Sequence, residues 1–456
     1  SITDYYDVNP YLADNPDDRM DEFKELVRRV HQAGLKVIID FVPNHVARDY
    51  ADFTASHPAP TGMTSLGEQD DSSVHWKEEN DFFYYPGKAL RLPVENQTYV
   101  EIPAKASGNA YTAEPGVNDW YDTIKLNYCD TPSRTWSKMF DIVTFWASAG
   151  VDGFRCDMVE LVPPEFFKWL ISRVKKLYPH IIFVAEVYQK TLYAKYIREV
   201  GFDLLYDKSG MYDAVRAIVE KNVNDSGVPV EAWQSTKRIT WNWQFLGDLQ
   251  PYMLNFLENH DEQRFASDFF GKDAKNSFAA LYASLLLNQA PFMLYAGEEV
   301  GEKGMDTEGF SGNDGRTTIF DWWAPSALTR LYCYIHGDST ALTENETALL
   351  ERYRKVMRFA SEDKAVSEGV VYDLCYCNYS SDGFNPDRHF AFLRDYKEET
   401  QLVVCNFSKN DADVKIVIPE HAFQWLEMPE TDKFNHSLPI SVHVPAMDAV
   451  ILQVCG

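Results

Sequence analysis

Gly150-Val-Asp-Gly-Phe-Arg-Cys-Asp-Met-Val-Glu-Leu-Val-Pro163 is the stretch whose reading decides the fold. Val151 and Phe154 give it the apolar body of a short buried strand. Arg155 and Asp157 lie two apart, so on a strand they project from one face. An Arg beside an Asp at a strand's C-terminal end is a poor way to build a core. It is a good way to hold a carboxylate ionised and oriented as a nucleophile.

Outward from this strand, helical and strand periods alternate. Upstream, Met20, Phe23, Leu26, Val27 and Val30 predict a helix from Pro16 to Gly34, followed by a buried strand ending at Asp40, Asn44 and His45. Ser133 to Ala149 reads as a helix before the central strand, and Pro164 to Leu177 as one after it. Further strands are expected in Ile181–Glu186, Phe202–Tyr206, Pro251–His260 and Phe292–Ala296, with helices over Tyr212–Lys221, Ser277–Asn288 and Glu344–Phe359. Repeated strand–helix units imply a parallel sheet. Strands that end in polar residues favour a (β/α)8 TIM barrel over a doubly wound sheet. Neither a Gly-x-Gly-x-x-Gly fingerprint nor a P-loop occurs, which disfavours a nucleotide fold.

Two regions break the rhythm. Residues 47–125 are rich in Gly, Pro, Asn and aromatics and read as an inserted subdomain. Its Trp76, Phe82, Phe83, Tyr84, Tyr85, Trp120 and Tyr121 either line a groove or form a private small core. After about Lys364, short strands separated by turns such as Ser380-Ser-Asp-Gly383 predict a C-terminal antiparallel β domain. The expected division is thus 1–46 and 126–364 for the barrel, 47–125 for the insert and 365–456 for the last domain. Residue 1 is Ser, and Ser-Ile-Thr-Asp-Tyr-Tyr reads as the middle of a loop, so the first barrel strands are expected upstream and localisation is not legible.

Composition bounds the rest. A net charge of −26 argues against nucleic acid or an anionic membrane as partner, and 45% hydrophobic residues suffice for a large core. No apolar run approaches the roughly 18 residues of a membrane span, which argues for a soluble chain. The seven cysteines are scattered, and Cys375-x-Cys377 has no second pair at zinc-site spacing.

Four strand ends concentrate ionisable groups: Asp40 with Asn44 and His45, Arg155 with Asp157, Glu186, and His260 with Asp261. In a barrel, such side chains converge on one pocket. Two carboxylates flanking a bond are the minimal kit for glycoside hydrolysis. Arg155 would keep one ionised, and the apolar Phe183-Val-Ala setting of Glu186 would raise the other's pKa for proton donation. Asp261 could grip sugar hydroxyls as positive charge builds at the anomeric carbon.

With these residues in place, the chain resembles the α-amylase family of glycoside hydrolases (family 13). Asp40-Phe-Val-Pro-Asn-His45, Gly153-Phe-Arg-Cys-Asp157, Val184-Ala-Glu186 and Glu258-Asn-His-Asp261 resemble four family signatures, in family order. Lys125-Leu-Asn127 resembles the short signature that closes the inserted domain, and Asp314–Trp322 the loop bordering the substrate groove. The resemblance implies Asp157 as catalytic nucleophile, Glu186 as general acid/base and Asp261 as transition-state stabiliser. Arg155 would orient Asp157, and His45 and His260 would bind sugar in the −1 subsite. No cofactor is implied for the chemistry. Asn44 is the candidate ligand of a structural calcium, although Glu160 and Leu161 stand where calcium-binding relatives often carry Lys-His. The expected function is a retaining α-glycosidase cleaving α-1,4-glucosidic bonds in starch, glycogen or maltodextrins. The alternatives are an α-glucan transglycosylase of the same family and, more remotely, a non-catalytic carbohydrate-binding homologue. The expected partner is an α-glucan oligosaccharide or polysaccharide, with no nucleic acid and no membrane insertion.

Overall fold

Apolar residues at helical spacing place Arg19–Gln32 in α1, which closes at Gly34. The φ of 76° at Gly34 is a left-handed conformation that glycine adopts without a Cβ clash. The computed structural model describes residues 1–51, 62–224, 227–306, 313–317, 323–397, 399–426 and 438–455. The chain forms two compact units, Ser1–Tyr206 and Asp207–Gly456.

In the first unit, α1 leads into β1 (Ile38–Phe41). Strand β2 (His45–Ala47) opens the insert, which carries the short antiparallel pair β3 (Tyr84–Tyr85) and β4 (Ala104–Lys105). Strand β5 (Thr123–Lys125) returns antiparallel to β2 and closes the insert. Leu90, Ala104 and Ala113 form a small core there. Of the insert's aromatics, Phe82 and Tyr84 are buried, as a private core requires, whereas Trp76 is 54% exposed.

Helix α2 (Arg134–Ser148) then leads to β6 (Gly153–Cys156), the strand read first in the sequence. Helix α3 (Pro164–Leu177), β7 (Ile182–Ala185) and β8 (Leu204–Tyr206) follow. Strand β6 pairs in parallel with β1 and β7, and β7 pairs in parallel with β8. All four residues of β6 are buried, and Phe154 stacks on Phe183 of the neighbouring strand at 5.7 Å between ring centroids. Gly153 permits this close packing, because a Cβ there would lie 2.7 Å from Ile182 Cγ1 and 2.9 Å from the Ile182 carbonyl oxygen.

The second unit continues with α4 (Asp213–Val223), α5 (Lys237–Leu246), β9 (Met253–Phe256), α6 (Phe278–Leu286) and β10 (Phe292–Met293). Strands β9 and β10 are parallel neighbours. Both are shorter than their expected spans, Pro251–His260 and Phe292–Ala296. After β10 the chain turns, with Glu298 N–H donating to the Tyr295 carbonyl. Helix α5 and helix α7 (Ser326–Ile335) were not legible in the sequence. Their aromatic residues lie partly on the outer face, with Trp241, Phe245 and Tyr332 exposed, and this blurs the apolar period. Helix α8 (Glu344–Glu362) begins at a capping box between Thr343 and Glu346.

The C-terminal strands are antiparallel, as expected. The order β11 (Val370–Asp373), β12 (His389–Tyr396), β13 (Glu399–Asn406), β16 (Asp448–Cys455) makes one sheet. Strands β14 (Ala412–Ile416) and β15 (Ile440–Val444) make another. Strands β12 and β13 are buried along nearly their whole length. Among the described residues no helix is long and apolar enough to cross a membrane.

Arg394 of β12 locks this sheet to its helices. Its guanidinium is 1% exposed and donates only to backbone carbonyls. The acceptors are Leu286 and Leu287 at the end of α6, at 3.2 and 3.0 Å, and Ala365, Val366 and Gly369, at 3.1, 2.6 and 2.9 Å. Burial pulls its pKa down to about 10. Truncation would strand five carbonyls without their donor, so we expect Arg394→Met to cost roughly 3 kcal/mol or more. Urea unfolding reads this directly. A midpoint unchanged from the parent would contradict the role.

Candidate active site

Strands β6 and β7 carry the two carboxylates singled out in the sequence. The residue after each strand continues the ladder: Asp157 N–H donates to the Phe41 carbonyl at 2.9 Å, and Glu186 N–H to the Cys156 carbonyl at 3.1 Å. Both side chains therefore leave neighbouring parallel strands at their C-terminal ends. Between them sits Arg155. Its Nη1 donates to Asp157 Oδ1 at 2.8 Å. Its Nη2 lies 3.1 Å from Glu186 Oε2, an ion-pair contact without hydrogen-bond alignment. Its Nε donates to the Tyr206 hydroxyl at 3.3 Å and lies 3.6 Å from Asp40 Oδ1. Burial by itself would lower the pKa of this guanidinium. The negative charges of Glu186, Asp40 and Asp157, together with the Tyr206 hydroxyl, outweigh that effect and hold its pKa above the usual value.

The turn after Asp157 is strained. Met158 sits at φ 43°, ψ 48°, a left-handed conformation that costs a non-glycine residue about 1–3 kcal/mol. In return its N–H points at Glu186 Oε2, at 2.9 Å. The other oxygen of Glu186 accepts from the Tyr188 hydroxyl at 2.7 Å. Glu186 is thus 3% exposed, with a donor on each oxygen. Its setting is more polar than the preceding Phe183-Val-Ala suggested.

Asn44 and His45 are held at the start of β2. Asn44 is fully buried, and its Nδ2 donates to the Gly108 carbonyl at 3.0 Å and toward His45 Nδ1 at 3.2 Å. His45 Nδ1 is therefore the acceptor, which leaves the proton of the neutral ring on Nε2. The Asn44 side-chain oxygen accepts from the Lys125 ammonium, which also donates to the Leu161 carbonyl at 3.0 Å. A positive charge thus occupies the place where the sequence suggested a calcium ion. Burial lowers the Lys125 pKa to about 8. Among the described residues no cluster of three or more His, Cys, Asp or Glu side chains could hold a metal.

In the second unit, Glu258-Asn-His-Asp261 forms a pinned turn. Glu258 is buried and accepts from Arg264 Nη1 at 2.9 Å and from Phe265 N–H at 2.7 Å. The Asn259 side chain accepts from the N–H groups of Asp261 and Glu262, each at 2.9 Å. Glu262 is anchored by Lys208 and Arg216 at 3.2 and 3.3 Å. These fixed points present His260 and Asp261, which face each other at 3.3 Å. In the loop expected at Asp314–Trp322, residues 318–322 lie outside the described residues.

Arg155, Asp157 and Glu186 are thus brought together around one guanidinium, Asn44 and His45 around Lys125, and His260 and Asp261 on one turn. Sequence reading missed Tyr206, Tyr188, Met158 and the ammonium of Lys125. Tyr206 ends a strand, so the rule that found Asp157 and Glu186 reaches it as well. Tyr188 and Met158 depend on loop geometry that leaves no periodic signal, and Lys125, on β5, meets a partner 81 residues away.

The profile described as "Alpha amylase, catalytic domain" matches residues 1–373. The chain belongs to the α-amylase family. It is 24% identical to alpha-amylase 3 of Dictyoglomus thermophilum over 457 residues, covering 95% of this chain and 79% of that one. It is 23% identical to neopullulanase 2 of Thermoactinomyces vulgaris over 301 residues, covering 66% of this chain but 44% of that protein. The solved alpha-amylase from H. orenii superposes with a TM-score of 0.63 at 19% identity, over 98% of this chain and 86% of that one. The family fold accounts for the alternating strands and helices as a (β/α)8 barrel, followed by a C-terminal antiparallel β domain.

His45 and His389 supply a pH dependence of stability. Burial is the main cause that pushes each down to about 4 in the folded chain; Lys125's charge adds to the effect at His45, and that of Arg388 at His389. An unfolded histidine titrates near about 6.5. The unfolded chain therefore binds more protons between these values, and stability falls as pH drops from about 6.5 towards 4. Each group contributes at most about 2.5 kcal/mol by pH 4.5. Denaturant unfolding at pH 7 and pH 4.5 should show a smaller difference for His45→Gln than for the parent. An identical difference would contradict a buried neutral His45.

Proposed function

We propose that the protein is a retaining α-glycosidase that hydrolyses α-1,4-glucosidic bonds in starch, glycogen or maltodextrins. The observation that carries this is one guanidinium shared by two carboxylates on adjacent strand ends, Arg155 with Asp157 at 2.8 Å and with Glu186 at 3.1 Å. Asp157, held by Arg155, attacks the anomeric carbon while Glu186 protonates the leaving oxygen. Glu186 then deprotonates the water that releases the glycosyl-enzyme. His45 donates from Nε2 to a sugar hydroxyl, and His260 acts likewise. Asp261 grips sugar hydroxyls more strongly as the anomeric carbon becomes positive. The barrel would comprise 1–46 and 126–364, the insert 47–125 and the C-terminal domain 365–456. The same acids serve a sugar acceptor as well as water, so products longer than the substrate would signal the transglycosylase alternative.

The expected carboxyl separation for retention is roughly 5–5.5 Å between Asp157 and Glu186. Asp157→Asn and Glu186→Gln should each lower maltodextrin turnover by at least about a hundredfold. Proton NMR of the first products should show the α-anomer. First-formed β-anomer, or turnover unaffected by Asp157→Asn, would overturn the assignment.

The chemistry needs no cofactor, and Lys125 takes the place of a structural cation. Its ammonium already links Asn44 to the Leu161 carbonyl, so a divalent ion would meet like charge. The thermal midpoint is therefore expected to be the same in EDTA and in excess calcium, whereas Lys125→Ala should lower it in both. A rise in the parent's midpoint with calcium would contradict this.

A further inference from the structure

The two oxygens of Glu186 meet different chemistry. Oε2 faces Met158 N–H at 2.9 Å and Arg155 Nη2 at 3.1 Å. Both groups only donate, and neither can accept a proton from the carboxyl. Oε1 meets the Tyr188 hydroxyl at 2.7 Å. A hydroxyl can rotate from donor to acceptor when its partner becomes protonated. The transferable proton therefore belongs on Oε1, where the local hydrogen bond survives protonation.

Tyr188 is itself held from below. The Glu160 carboxylate accepts from the backbone N–H of Tyr188 at 3.1 Å and of Gln189 at 2.9 Å. Glu160 lies on the short 3₁₀ turn Val159–Leu161, directly after Met158. One segment, 157–161, thus carries the nucleophile, aims the Met158 N–H at one oxygen of Glu186, and fixes the loop whose hydroxyl meets the other.

We propose that Tyr188 is the positioning residue of the acid/base. Its hydroxyl selects Glu186 Oε1 as the oxygen that delivers the proton to the leaving sugar, and Glu160 holds Tyr188 in register through the backbone. In the carboxylate state the hydroxyl donates to Oε1. In the acid state the hydroxyl accepts from the protonated Oε1, and Glu186 transfers that proton from Oε1 to the glycosidic oxygen as the C–O bond breaks, which returns the hydroxyl to donating. This inference rests on Glu186 being the acid/base.

The test compares two donors. Maltotriose needs a proton on its leaving oxygen, whereas α-maltosyl fluoride departs with little protonic help. For Tyr188→Phe, kcat on maltotriose should fall roughly tenfold with KM little changed, while the fluoride rate stays within about twofold. Glu160→Ala, which keeps the tyrosine ring but frees its backbone, should show the same split to a smaller degree. Glu186→Gln is the control and should show the largest split. If Glu186→Gln slows both donors alike, the acid/base reading fails. If Glu186→Gln shows the split but Tyr188→Phe slows both donors equally or neither, that reading stands and the role of Tyr188 is overturned. If only Glu160→Ala lacks the split, the tether through Glu160 is overturned. A purely structural effect of either variant would slow both donors together.

Discussion

Everything in the first unit turns on where the Arg155 charge goes. A guanidinium whose side chain is 9% exposed persists inside a protein only with partners close enough to offset its lost hydration. Arg155 finds them on four neighbouring parallel strands: Asp40 on β1, Asp157 after β6, Glu186 after β7 and Tyr206 at the end of β8. The register of the sheet, with Asp40 opposite Arg155 and Arg155 opposite Val184, sets these distances. A slip of one residue in any strand would turn its partner to the other face and leave a buried charge uncompensated. The same charge that the sheet must satisfy also orders the pair of carboxylates on which the proposed chemistry depends.

Strain and polarity around that charge converge on Glu186. Met158 is held in a left-handed conformation and directs its N–H to Glu186. Glu160 ties down the loop after β7 by accepting from the Tyr188 and Gln189 N–H groups. Lys125, the last residue of the insert, contributes a second buried charge, and it meets neutral oxygens, those of Asn44 and Leu161. This ammonium braces the start of β2 against the turn that follows Asp157.

The parallel strands were legible because each is a short apolar run closed by polar residues, and the helices α1, α2 and α3 because their apolar faces repeat at helical spacing. The spacing of Arg155, Asp157 and Glu186 pointed directly at the grouping that the structure shows. The same strand-end rule reached His45, His260 and Asp261, to which the family resemblance added specific roles, and each sits on a turn or strand start fixed by local hydrogen bonds. The inserted segment offered no period, and its aromatics proved to serve both as core and as surface. Helices α5 and α7 escaped because aromatic residues on their outer faces mask the apolar stripe. Tyr188 and Met158 act through a hydroxyl and a backbone N–H placed by irregular loops, and such placement depends on three-dimensional closure that residue spacing does not encode. The Asn44 calcium expectation met the Lys125 ammonium for the same reason: 81 residues separate the two side chains that touch.

The central claim is that Asp157, held by Arg155, forms the covalent bond to sugar. Trapping with a 5-fluoro-α-maltosyl fluoride, followed by proteolysis and mass spectrometry, tests it most directly. A single glycosylated peptide is expected, with the sugar on Asp157. A stable adduct on any other carboxylate, or substrate turnover under conditions where no adduct forms, would contradict it.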